Sequence, residues 1–157
     1  MPRRIGTCLW FENQAEEAAK FYVSVFDESK IIDVSRFGEG GPGAPGEAIA
    51  VEFELEGRPF TALNGARGSS FTEAVSFVVD CEDQAAVDRY WTALTDGGSE
   101  SMCGWLKDRY GVSWQVVPSV LPSLIAGPDP EGSQRAMQAM LGMRKLDIDE
   151  LQKAYEG

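Results

Sequence analysis

The chain contains no histidine among its 157 residues. Histidine is the commonest general base and the commonest transition-metal ligand in proteins, so its absence excludes Ser-His-Asp and Cys-His catalysis. Zinc or nickel binding is also disfavoured, because only carboxylates, amides and thiols remain as ligands. We therefore expect no bound metal, and no pattern in the sequence predicts another cofactor.

Cysteine is scarce, and the chain has only Cys8, Cys81 and Cys103. Their number is odd, and their spacing fits neither a disulfide framework nor a zinc motif. We interpret them as reduced thiols that pack as small apolar side chains. Reduced thiols are typical of cytoplasmic proteins, and a cytoplasmic location is our expectation.

Positive charge and long apolar runs are the other deficits. The chain has 14 Lys and Arg residues against 25 Asp and Glu residues, which gives a formal net charge of -11. Nucleic-acid binding needs a basic surface, and an anionic membrane would repel this chain. No apolar run approaches the ~20 residues that span a bilayer. No apolar segment follows the basic residues 3 and 4, so we expect no signal peptide.

The chain does contain an internal repeat. Residues 12–15 (ENQA) and 82–85 (EDQA) each begin a segment with apolar residues at the i, i+3, i+4, i+7 spacing of a half-buried helix. The apolar positions are Ala18, Phe21, Tyr22 and Val25 in the first segment, and Val87, Tyr90, Trp91 and Leu94 in the second. One structural unit is therefore used twice.

Strand patterns surround both predicted helices. We predict helices at 14–26, with Asn13 as N-cap, and at 84–94, and strands at 5–11, 31–37, 49–55, 59–64, 75–79, 101–107 and 112–117. The fold class is α+β: two βαβββ repeats, 4–66 and 71–118, form one domain, 1–118. Residues 119–157 form a C-terminal helical extension with helices near 121–126, 133–144 and 147–155, which packs on the domain or on a partner subunit.

A glycine-rich segment, residues 38–43 (GEGGPG), matches the string G-x-G-x-x-G. A nucleotide-binding loop of this type must end a strand and open a helix. Pro42 and Pro45 forbid that helix, so we interpret the segment as a loop near a pocket mouth.

Longer motifs connect the chain with a known family. They are LWFENQAEEAAKFY (9–22), ALNG (62–65), EAVSFVV (73–79), CGWLKDRYGVSWQVVP (103–118) and QRAMQAMLGMRKLDI (134–148). In these motifs the chain resembles the PhnB-like branch of the vicinal oxygen chelate superfamily, which holds glyoxalase I, the bleomycin-resistance proteins and extradiol dioxygenases. That branch often bears the label 3-demethylubiquinone-9 3-methyltransferase.

The resemblance implies a half-barrel cleft between the repeats and a homodimer. Metal-dependent members of the superfamily hold an ion with four residues. The resemblance implies that the matching positions in this chain are Thr7, Thr61, Glu73 or Ala74, and Gln115. Threonines and an amide bind divalent cations poorly. Enolate chemistry at a metal is therefore not expected of this chain.

We predict a pocket with apolar walls from Trp10, Phe53 and Trp105 and with polar anchors from Asn64 and Gln115. Each has a structural alternative: the aromatic side chains suit a core, Asn64 suits an Asn-Gly turn, and Gln115 suits an amide bonded to the backbone. Residues 107–109 (KDR) are interpreted as a solvated hairpin turn.

Three functions remain open from the sequence. The first is metal-independent binding of a small, partly apolar molecule in the cleft. The second is an enzyme, either a lyase or isomerase with Glu73 as base or the ubiquinone-pathway methyltransferase of the family label. The third is a dimeric interaction module. Nucleic-acid and membrane partners are not expected, and catalytic residues are unknown.

Overall fold

The computed structural model of the protein describes residues 5–157. The chain divides into two compact units, the first ending at Ser69 and the second spanning Ser70–Gly157. The first unit contains β1 (Thr7–Phe11), α1 (Ala15–Val25), β2 (Lys30–Arg36), β3 (Ala48–Leu55) and β4 (Arg58–Asn64). The second contains β5 (Phe77–Cys81), α2 (Gln84–Thr95), β6 (Ser99–Glu100), β7 (Trp105–Lys107), β8 (Ser113–Pro118), α3 (Leu121–Ile125), α4 (Pro130–Leu141) and α5 (Ile148–Glu156).

The two units repeat one topology. The first sheet has the order β1-β4-β3-β2 and the second the order β5-β8-β7-β6. In each sheet the first strand pairs in parallel with the last, and the other pairings are antiparallel. The predicted α+β fold of two βαβββ repeats with C-terminal helices is confirmed.

The core of the first unit lies between α1 and one face of its sheet. Alternation along β3 buries Val51, Phe53 and Leu55 and leaves Glu52 exposed. Tyr22 of α1 is fully buried and stacks on Phe53. Burial of such large apolar side chains is the main force that holds helix and sheet together.

The N-terminus of α1 differs from its prediction. Gln14, not Asn13, is the N-cap residue, and its side chain makes no capping hydrogen bond. The side chain of Asn64 supplies the cap instead, because its Oδ1 accepts a hydrogen bond from the backbone N–H of Ala15 at 2.8 Å. A residue distant in sequence thus satisfies a donor that the helix itself leaves open.

Repeat two also corrects two predictions. β5 begins at Phe77 rather than Val75, which is exposed. The predicted strand 101–107 is two strands, β6 and β7, separated by a turn in which the N–H of Trp105 bonds to the carbonyl of Met102. Gly104 in this turn has φ of 83°, and a Cβ there would lie 2.7 Å from the carbonyl oxygen of Val116, so glycine is required.

The C-terminal helices pack within the second unit, on its βαβββ repeat. Backbone N–H groups of Cys103 and Gly104 donate to the carbonyls of Met143 and Arg144. Gln84 of α2 donates through its amide to the carbonyl of Leu146 and accepts from the N–H of Ile148. The buried cluster of the extension consists of Leu121, Leu124, Ala136, Leu146 and Leu151. The extension therefore packs on the second repeat, which is one of the two locations predicted for it.

The glycine-rich segment lies between antiparallel strands β2 and β3. Two hydrogen bonds close it, from the N–H of Phe37 to Glu47 and from the N–H of Gly46 to Phe37. A strand follows the segment rather than a helix, so it lacks the geometry of a nucleotide-binding loop. Within residues 5–157, no helix combines the length and apolar character needed to cross a membrane.

Candidate functional site

The two predicted wall residues of the first unit lie on opposite faces of its sheet. Phe53 is 1% exposed, and its ring stacks between Tyr22 and Phe60. Trp10 is 46% exposed and pairs in register with Leu63 on the other face, which α1 does not cover. The structure therefore places Phe53 in the core, where it cannot share a pocket wall with Trp10. We call the uncovered face of each sheet its open face.

Asn64 has both amide groups engaged within the first unit. Besides capping α1 through Oδ1, it donates from Nδ2 to the carbonyl of Ala48 at 3.0 Å. It lines a cavity of about 540 Å³ at the N-terminus of α1, to which Phe37, Gly43 and Gly46 of the loop region also contribute. Asn64 therefore has a structural role, as the cap of α1 and as a link to Ala48, and this role differs from the simple Asn-Gly turn considered from the sequence.

Trp105 and Gln115 are brought together on the open face of the second sheet. They are direct register partners on the antiparallel strands β7 and β8, and both are half-buried. Such partners have Cβ atoms about 5 Å apart, close enough for one ligand to contact both. Trp114 is buried on the helix-covered face, so Gln115 points away from that core as its alternation predicted.

Gln115 bonds to a side chain, not to the backbone. Its Nε2 donates to the Oγ of Ser76 at 2.9 Å. Within residues 5–157, no hydrogen bond to Oε1 of Gln115 is found, so this acceptor is available to a ligand. Ser76 was not identified from the sequence, because it precedes β5 and only the fold brings it to β8.

The positions inherited from metal-dependent relatives do not form a metal site within either unit. Thr7 pairs with Phe60 and therefore lies on the helix-covered face, whereas Thr61 pairs with Cys8 on the open face. Glu73 lies before β5 and is exposed. Across residues 5–157, no three Cys, Asp or Glu side chains are grouped so that they could hold an ion. The donors present do not fit a divalent cation.

Ser113 is a second residue that the sequence analysis missed. It lies two positions before Gln115 on β8, and strand alternation therefore places it on the same open face. It is 2% exposed, and its Oγ has no hydrogen-bond partner among residues 5–157. A buried hydroxyl without a partner costs stability, and such groups often mark sites where a ligand or water completes the bonding.

Ser133 of α4 provides a matched comparison for Ser113, because it is 8% exposed but accepts a bond from the N–H of Gly127 at 2.9 Å. We expect Ser113→Ala to leave the free energy of unfolding unchanged or to raise it slightly, since an unpaired polar group is removed. Ser133→Ala should lower it by about 1–2 kcal/mol, because the N–H of Gly127 loses its partner. Urea denaturation of both variants measures the difference. Equal losses would show that the hydroxyl of Ser113 is already satisfied.

Asp108 corrects the interpretation of residues 107–109 as a solvated turn. It is 3% exposed, and its Oδ1 accepts from the backbone N–H groups of Tyr110 and Val112. Its Oδ2 accepts from the indole N–H of Trp114 at 2.8 Å. The carboxylate therefore organises the β7–β8 turn from inside and positions Trp114 behind the open face.

The prediction that the cysteines pack as small apolar side chains holds for Cys81 but is wrong for Cys8, which is exposed, while Cys103 is partly buried. The side chain of Cys81 is buried, and burial raises the pKa of its thiol to about 11. A thiol with so high a pKa is protonated at neutral pH and is a poor nucleophile.

The chain belongs to the family described as 3-demethylubiquinone-9 3-methyltransferase, whose family model matches residues 3–117. A putative 3-demethylubiquinone-9 3-methyltransferase (PhnB protein) from Bacillus cereus is 38% identical, with a TM-score of 0.70, over 74% of this chain and 100% of that chain. The predicted family resemblance is confirmed. A search of the curated proteins finds no match.

Two more distant structures share the fold. Protein PA1353 from Pseudomonas aeruginosa is 20% identical with a TM-score of 0.63, over 74% of this chain and 98% of that chain. The fosfomycin resistance protein FosX from Mesorhizobium loti is 12% identical with a TM-score of 0.54, over 74% of this chain and 90% of that chain. These two structures share the fold of this chain. Their sequence identities are too low to indicate a shared activity.

Proposed function

We propose that the protein binds a small, partly apolar molecule without a metal ion, on the open face of the second sheet. The observation that supports this most directly is the pairing of Trp105 with Gln115. An indole offers a flat apolar surface, and the adjacent amide oxygen offers a directed hydrogen bond. Small-molecule sites commonly combine an apolar wall with a few such polar groups.

Trp10 stays a prediction, because it belongs to the first unit whereas the proposed site lies in the second. It lies on the open face of the first unit's sheet together with Leu63, and nearly half of its surface is exposed. Phe53 and Asn64 leave the proposed set, because their contacts are those of the core and of the cap of α1. The cleft between the repeats stays a prediction.

A ligand screen by thermal shift tests the proposal, with quinones, aromatic antibiotics and oxoaldehydes as probes. A ligand at about 100 times its dissociation constant stabilises the folded state by about 2.7 kcal/mol. We expect Gln115→Ala to weaken binding of any hit by about 3- to 10-fold, the effect of one lost hydrogen bond. The exposed Gln152 of α5 provides the matched control, and Gln152→Ala should change nothing.

Two results would contradict the assignment. If Gln115→Ala and Trp105→Ala both leave every hit unchanged, the ligand binds elsewhere. If stoichiometric metal accompanies protein purified without chelator, binding is not metal-independent. S-adenosylmethionine belongs in the same screen, and we expect it to cause no shift, because the glycine-rich loop lacks the geometry of a nucleotide site.

An enzymatic function is the second candidate, and one observation favours it. Glu73 lines a cavity of about 210 Å³ together with Trp105, so a carboxylate is available near the proposed ligand. Turnover of a bound compound by the wild type but not by Glu73→Gln would favour a lyase or isomerase over a binding protein.

We also retain the homodimer as a proposal. Trp10, Val75 and Val78 are large apolar residues with exposed surface, and a second copy could cover them. Sedimentation equilibrium measures the assembly state. A dimer that binds no probe would favour an interaction module.

A further inference from the structure

The cavity of about 210 Å³ in the second unit contains polar groups that the proposed function does not use. It is lined by residues of β6, of the turn after β6, of β7 and of β8, and by Glu73 from the segment before β5. All of its lining residues belong to the second unit. Its volume is about seven times the ~30 Å³ that one water occupies in the liquid, so it has room for more than a single structural water.

Three of the lining residues form a row across the sheet. Ser99 of β6 pairs with Lys107 of β7, and Lys107 pairs with Ser113 of β8. Register partners of this kind project from the same face with Cβ atoms about 5 Å apart. Trp105 lies two residues from Lys107 on β7 and therefore projects from that face as well. The cavity thus places a hydrogen-bonding row beside an indole.

One member of this row, Ser113, has a hydroxyl oxygen without a hydrogen-bond partner in the part of the chain that the structure describes. The side chain is buried to 98%, given its 2% exposure, and it lines the cavity. Lys107 and Glu73 likewise form no ion pair within residues 5–157. The lining residues therefore include a hydroxyl, an ammonium and a carboxylate, those of Ser113, Lys107 and Glu73, that do not satisfy one another.

The charges at the cavity restrict the ligand. Two carboxylates, Glu73 and Glu100, and one ammonium, Lys107, line the cavity, but Glu100 already accepts from the indole N–H of Trp91 and pairs with Arg144. The remaining charges, Glu73 and Lys107, offset one another, so neither an anion nor a cation is favoured there. A neutral ligand must therefore both accept from an ammonium and donate to a carboxylate. The hydroxyl group does both, and several hydroxyls on one ring could serve Ser99, Lys107 and Ser113 together.

We propose that this cavity binds the hydroxyl-bearing edge of a neutral cyclic polyol of about monosaccharide size, whose ring face packs on Trp105. The inference rests on the proposed function, because Trp105 belongs to both, and it specifies the chemical class of the ligand. The C–H face of the ring is the partly apolar portion. The hydroxyls of the ring complete the bonding of Ser113, as a buried polar group requires.

Saturation-transfer-difference NMR on the full chain tests the inference with methyl glucoside, methyl galactoside and inositol as probes. At about 0.3 kcal/mol per non-hydrogen atom, a ligand of about 12 such atoms has a dissociation constant on the order of 1 mM. We expect at least one probe to bind in that range. Cyclohexanol, glucuronate and glucosamine keep a comparable ring but lack the hydroxyl set or add a charge, and they should bind at least several-fold more weakly.

The variants locate the site. Ser113→Ala should weaken binding of the polyol by about 5- to 10-fold. Ser123→Ala, which removes an exposed hydroxyl of α3, should leave it unchanged. Trp105→Ala should abolish detectable binding, because the ring loses its stacking surface.

The possible failures are distinguishable. If aromatic or quinone probes bind through Trp105 and Gln115 but no polyol binds, the inference is overturned while the proposed function stands. If polyols bind equally well to the wild type and to Ser113→Ala, the cavity is not their site and the inference is again wrong. If no probe of any class binds, both proposals fail.

Discussion

Asp108→Ala is expected to lower the free energy of unfolding by about 3 kcal/mol, one of the two largest effects that we predict for a single substitution. The carboxylate accepts three hydrogen bonds, from the backbone N–H groups of Tyr110 and Val112 and from the indole of Trp114. Alanine leaves all three donors without their acceptor in a region where the side chain of Asp108 is itself buried. Each unsatisfied buried donor costs about 1–3 kcal/mol, and the half-buried turn reduces the sum.

Asp108→Asn tests how much of the stabilisation by Asp108 depends on its negative charge, because asparagine keeps the shape of the side chain but is neutral. The amide keeps one oxygen of nearly the same shape, so part of the bonding survives and we expect a loss of about 1–2 kcal/mol. Asp96 offers a matched control, because its side chain is 79% exposed and forms a surface ion pair with Arg109. Surface pairs contribute about 0–1 kcal/mol, so Asp96→Ala should have a small effect.

Urea unfolding followed by tryptophan fluorescence and by circular dichroism measures these differences. Trp114 loses its hydrogen bond in Asp108→Ala, so its emission should change in the folded state as well. A free energy of unfolding for Asp108→Ala within 1 kcal/mol of the wild type would contradict a role for Asp108 in organising the turn.

Asp108 also shows a limit of prediction from sequence. Its spacing to Tyr110 is typical of an Asx turn, in which the side chain accepts a backbone N–H two residues further on. That signal was available from residues 108–112 alone. The third bond was not, because the position of the Trp114 indole depends on the register of β7 with β8. The turn was therefore predictable, whereas the burial of its carboxylate was not.

The repeat was predictable because it rests on local periodicity. The apolar spacing behind residues 12–15 and 82–85 identifies both helices, and the alternation in β3 identifies a strand with one wet face. The division of the predicted strand 101–107 into β6 and β7 was harder to predict from the sequence. It involves the close approach of Gly104, in the turn before β7, to the backbone of Val116 in β8, which lies 12 residues further along the chain.

The candidate site was only partly predictable for a similar reason. Alternation along β8 correctly placed Gln115 away from Trp114, and the same alternation could have identified Ser113. The roles of Asn64 and Ser76 depend on contacts between segments 49 and 39 residues apart in sequence. No local pattern describes such contacts.

Phe53 illustrates a different difficulty. The sequence correctly grouped it with Val51 and Leu55 on one face of β3, but a period of two cannot tell which element covers that face. In this fold α1 covers it, and Tyr22 and Phe60 stack on either side of the ring. An apolar face that packs under a helix has no surface left for a ligand.

Phe53→Ala should therefore act on stability rather than on binding. Truncating a fully buried phenylalanine removes its apolar burial and leaves a cavity, and we expect a loss of about 3–5 kcal/mol in the free energy of unfolding. Trp10→Ala is the matched control on the open face. Because Trp10 is 46% exposed, its removal should cost about 1 kcal/mol or less. Urea denaturation of the two variants measures both values.

Phe53→Leu keeps the test of binding possible if Phe53→Ala does not fold. Leucine fills most of the same space and should cost about 1–2 kcal/mol, which leaves a folded protein for ligand titration. We expect its dissociation constant for any hit to equal that of the wild type, whereas Trp105→Ala should weaken binding strongly. The opposite pattern would return Phe53 to the pocket wall and remove the open face of the second sheet from the proposed site.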